Sequence, residues 1–223
     1  MLLLALDTAT PAVTVALHDG SSVLAETTTH DPRRHGELLA PGIVEVLRRA
    51  GAGRRDLTDV AVGTGPGPFT GLRVGLATAQ TLALVLGLRL QGVCTLDVLA
   101  AHALAEPTPG LTDGFVVATD ARRREVYWAG YQCFSGGAER VEGPAVARPG
   151  DVPLRGRPVV GRGALLYPDP LGPAVGPLDP SASALASLVV AGLAQGHTFG
   201  ELEPRYLRRP DVTEPGARKS VLG

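Results

Sequence analysis

The chain has 223 residues, 44% hydrophobic and 19% charged, with a formal net charge of -1. That length and apolar content support one or two globular domains with a buried core and exclude a disordered chain. Near-neutral charge excludes a global field for nucleic acid or membrane, so any RNA contact has to be local.

The first strand is expected over residues 2–6, ending on Asp7 in the turn "DTATPA". This start lacks a positive region and is too short for a signal peptide. A second strand alternates through Val13, Val15 and Leu17, and Asp19-Gly20 signals a hairpin into a third strand near residues 23–27. The segment "HGELLAPGIVEVLRRAG" spaces Leu38, Leu39, Ile43, Val46 and Leu47 as a helix over 35–49, closed by Gly51. A short strand then runs into "VGTGPGPFTGLRVG" and a second helix over 70–86, with Gly87 as its C-cap.

Along that helix Gly71, Gly75, Ala79, Ala83 and Gly87 recur every four residues, a stripe suited to close backbone approach. Leu72, Leu76 and Leu84 stand opposite, so the helix is expected to be covered on more than one side. The longest apolar run, 74–88, is interrupted by Thr78, Gln80 and Thr81. It falls short of the roughly 20 residues of a membrane span, so a soluble, cytoplasmic chain is expected.

The second half opens on "FVVATDARRREVYWAGYQ". An ungapped shift of 113 residues places the first strand on residues 115–119, Asp7 on Asp120, and Val13 and Val15 on Val126 and Trp128. Strand, aspartate, turn and return strand all match, which indicates an internal duplication. A Pro-rich irregular stretch, a short strand at Val159-Val160, a helix over 181–195 capped by Ser181, and an extended tail "EPRYLRRPDVTEPG" complete the chain. The expected architecture is α/β, with mixed sheets, helices on their faces and a cleft between halves.

The glycine-rich loop fails the P-loop pattern, because Leu72 and Arg73 follow Gly71 where Lys and Ser or Thr are needed. It also fails the dinucleotide fingerprint, with Thr70 at the third glycine position. Backbone N–H groups at the helix start could hold an anion; a tight strand-to-helix turn fits the same residues and is favoured. His30 and His35 do not share a helix face, and His35 reads as a solvated or capping residue. Arg122-Arg123-Arg124 could meet RNA phosphates or simply carry a hairpin turn into solvent. Asp7 and Asp120 could hold a metal-bound phosphate or serve as turn residues. Cys94 and Cys133 are expected as free thiols.

The segments "LALDTAT", "GTGPGPFTGLRVGLATAQTLAL", "VATDARRREVYWAGYQ" and "EPRYLRRPDV", in order and over nearly the whole chain, resemble the bacterial TsaB (YeaZ) family. The resemblance implies an actin-like/HSP70-like ATPase fold (ribonuclease H-like), with related domains at 1–104 and 105–223. It implies a role in making N6-threonylcarbamoyladenosine beside the anticodon of tRNA. The catalytic partner there is TsaD, the ATPase TsaE joins them, and tRNA is met only within the complex.

TsaD carries an HxxxH metal pair; extending the alignment to "GVCTLDVLAAH" puts Thr95 and Leu99 at those positions, where neither can replace an imidazole. A non-catalytic scaffold without cofactor or metal is therefore expected. Only Asp7, Thr8, Thr10 and Asp120 survive as candidates for the alternative, a residual nucleotide-binding ATPase. A metallopeptidase would need ligands the chain lacks. Leu39, Ile43, Leu72 and Leu76 are the expected partner contacts, and a chain without its partner is expected to form a homodimer through the same helices.

Overall fold

A computed structural model describes residues 1–106, 108–200 and 202–208. β1 (Leu3–Asp7), β2 (Ala12–His18) and β3 (Val23–His30) form an antiparallel meander. α1 (His35–Ala50) leads to β4 (Asp59–Gly63), α2 (Phe69–Leu86) to β5 (Arg89–Val93), and α3 (Thr95–Ala105) follows. β4 and β5 join parallel to β1, giving the order β3-β2-β1-β4-β5.

The second half repeats this plan. β6 (Phe115–Asp120), β7 (Val126–Phe134) and β8 (Gly137–Ala147) form the meander, and the two-residue strands β9 (Val159–Val160) and β10 (Ala174–Val175) add parallel to β6. Its order, β8-β7-β6-β9-β10, is that of the first sheet. Short helices α4 (Arg162–Leu166) and α5 (Pro168–Leu171) replace the long crossover, and α6 (Ala182–Ala194) closes the described helices. β8 occupies the stretch expected to be irregular; the cis Gly143-Pro144 bond lies within this edge strand, where a missing N–H is tolerated. Two related mixed sheets with this topology make up the actin-like fold. The expected extended tail is described only as far as residue 208.

Each sheet is buried on both faces. Leu4, Leu6, Val15 and Leu17 pack under α1 and α2 with Leu39, Val46, Leu72 and Leu76, while Leu3, Ala5 and Ala16 face Leu185 and Val189 of α6. In the second sheet Phe115, Val117 and Tyr131 pack on Leu96 and Leu99 of α3, and Val116, Ala118 and Trp128 face Ala164 and Leu171. The last described helix of each half thus lies on the sheet of the other, and α3 packs against α6 between them.

Register corrects the ungapped repeat. Asp7 pairs with Thr14 in the first meander, and Thr119, not Asp120, pairs with Tyr127 in the second. Four residues (8–11) connect β1 to β2, whereas five (121–125) connect β6 to β7. The return strands match at a shift of 113, since Val13, Val15, Val126 and Trp128 all face their own half's outer helices. The first strands match at 112, with Leu4 and Leu6 equivalent to Val116 and Ala118. A one-residue slip turns a side chain to the opposite face. Asp7 and Asp120 are therefore not equivalent.

α2 is long and apolar enough, by length and composition only, to cross a membrane, a test that a core helix also passes. Its packing accounts for only part of that composition, since Leu84 and Val85 face outward and the helix is not covered on the second side expected from its sequence. Gly71, Leu72, Gly75, Leu76 and Ala79 are buried against its own sheet, and Arg73 and Gln80 lie on its exposed side.

Candidate functional site

The glycine-rich loop between β4 and α2 wraps the β1–β2 turn. A Cβ on Gly63 would coincide with the Asp7 carboxylate, and one on Gly67 would overlap the Ala9 carbonyl. At Gly71 it would stand 2.7 Å from the Thr8 carbonyl oxygen, and at Gly75 2.5 Å from Thr8 Oγ1. The small-residue stripe is thus occupied by the first turn. The Thr8 hydroxyl donates to the Gly71 carbonyl at 2.7 Å and accepts from the Gly75 N–H at 3.0 Å, clipping β1 to the first turns of α2.

Asp7 is fully buried. Its Oδ1 accepts from the Ala9 N–H at 2.7 Å and its Oδ2 from the Thr95 hydroxyl at 2.8 Å. Thr95 in turn accepts from the Gly65 N–H at 3.1 Å. Burial pushes the Asp7 carboxyl up to about 6, against the lowering effect of those two donors. Thr95 thus braces Asp7, and Leu99 is core beneath Phe115 and Tyr131. Among the described residues, no three His, Cys, Asp or Glu side chains converge as metal ligands.

Thr10 caps its own turn, accepting from the Ala12 N–H at 3.2 Å, and its carbonyl accepts from His35 Nε2 at 2.8 Å. His35 is consequently a half-buried brace in the first turn of α1, not the solvated or capping residue expected. Asp120 accepts from the Arg122 N–H at 2.8 Å and pairs with its guanidinium at 3.3 Å. Thr10 and Asp120 meet across the junction of the halves, with Pro68, Thr119, Arg162 and Asp179. The space between them is about 10 Å³, room for about one water and no nucleotide. The structure brings Thr10 and Asp120 together and leaves Asp7 and Thr8 behind the loop.

Sequence reasoning missed the polar seam joining the halves. Glu26 Oε1 accepts from Ser181 Oγ at 2.8 Å, the Ser183 N–H at 3.1 Å and Thr14 Oγ1 at 3.3 Å, an acidic cap on α6 supplied by β3. Beside it Asp179 pairs with Arg162 and with His30 at 3.3 Å, and its carbonyl meets His102 Nδ1 at 3.1 Å. The Ser181 cap was legible; its distant acidic partner carries no local signal.

The expected partner contacts need correction. Leu39, Leu72 and Leu76 are 1%, 0% and 4% exposed and belong to the core under α1 and α2, and Ile43 is half-buried. The apolar side chains these helices present outward are Val44 at 65%, Leu84 at 85% and Val85 at 73% exposure. The error is one of phase: the leucines at helical spacing face the sheet, and the outward face is one to two residues away.

The β6–β7 turn holds Arg122, Arg123 and Arg124 successively at φ 62°, 52° and 61°. Left-handed backbone costs each non-glycine residue about 1 kcal/mol or more, so the turn aims three arginines outward under strain. Cys94 and Cys133 are free, and burial raises both thiols.

A family model described as TsaD, tRNA N6-adenosine threonylcarbamoyltransferase, matches residues 22–203. The chain is similar to an uncharacterised protein of Mycobacterium tuberculosis, 41% identical over 94% of this chain and 92% of that one. It is 36% identical to the Escherichia coli tRNA threonylcarbamoyladenosine biosynthesis protein TsaB, covering 93% of this chain and 95% of that one. The solved structure of YeaZ from Pseudomonas aeruginosa superposes with a TM-score of 0.77 at 32% identity, over 91% of this chain and 98% of that one.

Proposed function

The chain belongs to the TsaB (YeaZ) family, and from that premise we propose that it serves tRNA threonylcarbamoyladenosine biosynthesis as a non-catalytic, cytoplasmic subunit. It pairs with TsaD, which carries the transferase site, and TsaE joins the pair. The observation that carries the non-catalytic reading is the filled loop. Thr8, Ala9 and the Asp7–Thr95 pair occupy the space behind the glycines, so the one loop whose composition suggested an anion site is packed with protein atoms. Thr10 and Asp120 leave a gap of only about 10 Å³ between them, so that pair frames no nucleotide, which argues against the residual-ATPase alternative. The domains are taken as 1–104 and 105–223, each lending its last described helix to the other's sheet.

The pairing surface is the outward face of α1 and α2, where Val44 with Ala40 on α1, and Leu84 and Val85 with Ala77 on α2, are exposed apolar side chains. Alone, the chain covers that face with a second copy of itself. The test is reconstitution. Threonylcarbamoyl-adenylate and tRNA give no modified adenosine with this chain alone, and give it when TsaD and TsaE are added. Turnover by the chain in a preparation free of host TsaD would overturn the reading, as would full activity of TsaD and TsaE without it.

A further inference from the structure

Resting on the tRNA role above, we propose that the end of the molecule formed by the β6–β7 turn, the starts of α1 and α2, and the chain segment 202–208 is an RNA-docking face. It takes phosphates on arginines and an unstacked base on an aromatic platform.

One shared cavity and five contacts tie this end together. Arg33 and Arg122 line one cavity of about 220 Å³ with Thr10, Pro68 and Thr70. Phe69, between those last two residues, meets Tyr206 with ring centroids 5.3 Å apart. Arg73 lies 3.6 Å over the Phe69 ring and donates to the Tyr206 hydroxyl at 3.0 Å. Two residues beyond Tyr206, Arg208 donates to the Ala121 carbonyl at 3.1 Å and pairs with Glu125 at 2.9 Å, anchoring the segment on the arginine turn.

The charge on this end is unevenly answered. Asp31, Asp120 and Glu125 hold Arg34, Arg122 and Arg208. Arg33, Arg73, Arg124 and Arg205 have no acidic side chain paired with them among the described residues, in a chain whose net charge is -1. Phe69 and Tyr206 are each 40% exposed beside that excess. Arginines around an exposed aromatic pair suit a single-stranded nucleic acid, because phosphates answer the charge and a base stacks on the rings. An acidic protein surface would answer the charge but make no use of the Tyr206 ring, which is 40% exposed at the edge of the Arg73–Phe69 stack. Three consecutive arginines held in left-handed backbone are the strained feature that such docking would use.

The test titrates a fluorescent anticodon stem–loop RNA into the chain assembled with TsaD, at a series of salt concentrations, reading anisotropy. Arg33→Gln with Arg124→Gln should weaken binding and flatten the logarithmic salt slope by about 0.7 for each phosphate no longer neutralised. Tyr206→Ala should weaken binding roughly tenfold with the slope unchanged. Size exclusion should show both variants still paired with TsaD. Unchanged affinity and slope in an intact complex overturn the RNA face while leaving the proposed role untouched. Variants that instead lose TsaD mark the face as a protein contact and overturn it too. If the unaltered chain never pairs with TsaD, the proposed role fails, and the same slopes measured on the chain alone decide the face.

Discussion

Asp7→Asn separates a structural aspartate from a ligand-binding one. The carboxyl is fully buried and pushed up to about 6, against an ordinary value of 3.8. Between those values the folded state keeps a proton that the unfolded chain has released, so stability is lost as pH rises from about 4 to about 6. A gap of about two pH units corresponds to about 3 kcal/mol. Asparagine keeps the acceptor for the Ala9 N–H and turns its amide to Thr95 Oγ1, which can accept as well as donate. The variant has no proton to lose. Its unfolding free energy relative to the parent should therefore improve by up to about 3 kcal/mol between about pH 4 and about pH 7. Urea unfolding at the two pH values, followed by circular dichroism, measures this directly. A difference that stays flat, or runs the other way, would mean Asp7 is held ionised, as an aspartate poised for a metal-bound phosphate would be.

Gly75→Ala should destabilise the fold by about 1–3 kcal/mol, since the new Cβ would stand 2.5 Å from Thr8 Oγ1; an unchanged melting temperature would show that α2 can move off β1. Leu76→Arg should fail to fold, because it buries an unpaired charge in a 4% exposed core site at a cost of roughly 3–5 kcal/mol; a soluble, cooperatively melting variant would contradict the core assignment. Glu26→Ala should cost about 1–3 kcal/mol by stranding the Ser183 N–H and leaving the Ser181 hydroxyl proton without its acceptor, while Thr14 keeps Thr28 and the Ala182 N–H. Burial alone would raise the Glu26 carboxyl, but its hydrogen bonds outweigh that and lower it, so this contribution is present above about pH 4.5 and fades as pH falls. A pH-independent difference between Glu26→Ala and parent would refute it.

Much of the fold was legible because hydrophobic period and turn chemistry are local signals. The β2–β3 hairpin, α1, α2 with Gly87 as its left-handed C-cap, and the Ser181 cap of α6 all follow from neighbours in sequence. The glycines of the loop correctly signalled close backbone approach, although only the structure identifies Thr8 and Asp7 as what approaches. The misses are relations between distant segments. An apparent Asp7–Asp120 match hides a one-residue difference in turn length, visible only in strand pairing. Leu72 and Leu76 lie on an apolar helix whose composition does not say which side meets the sheet. Glu26 and Ser181 are separated by most of the chain, so no local pattern announces their bond.

The measurement that tests the central claim most directly is the mass of the assembly formed with TsaD by the parent chain and by Leu84→Arg, read by size exclusion with light scattering. Leu84 is 85% exposed, so the substitution should leave the melting temperature within a degree or two. The parent should form an equimolar complex, and the variant should elute separately from TsaD and as a monomer. A variant that is folded and still pairs with TsaD as the parent does would contradict the account, placing the partner surface away from the outward face of α1 and α2.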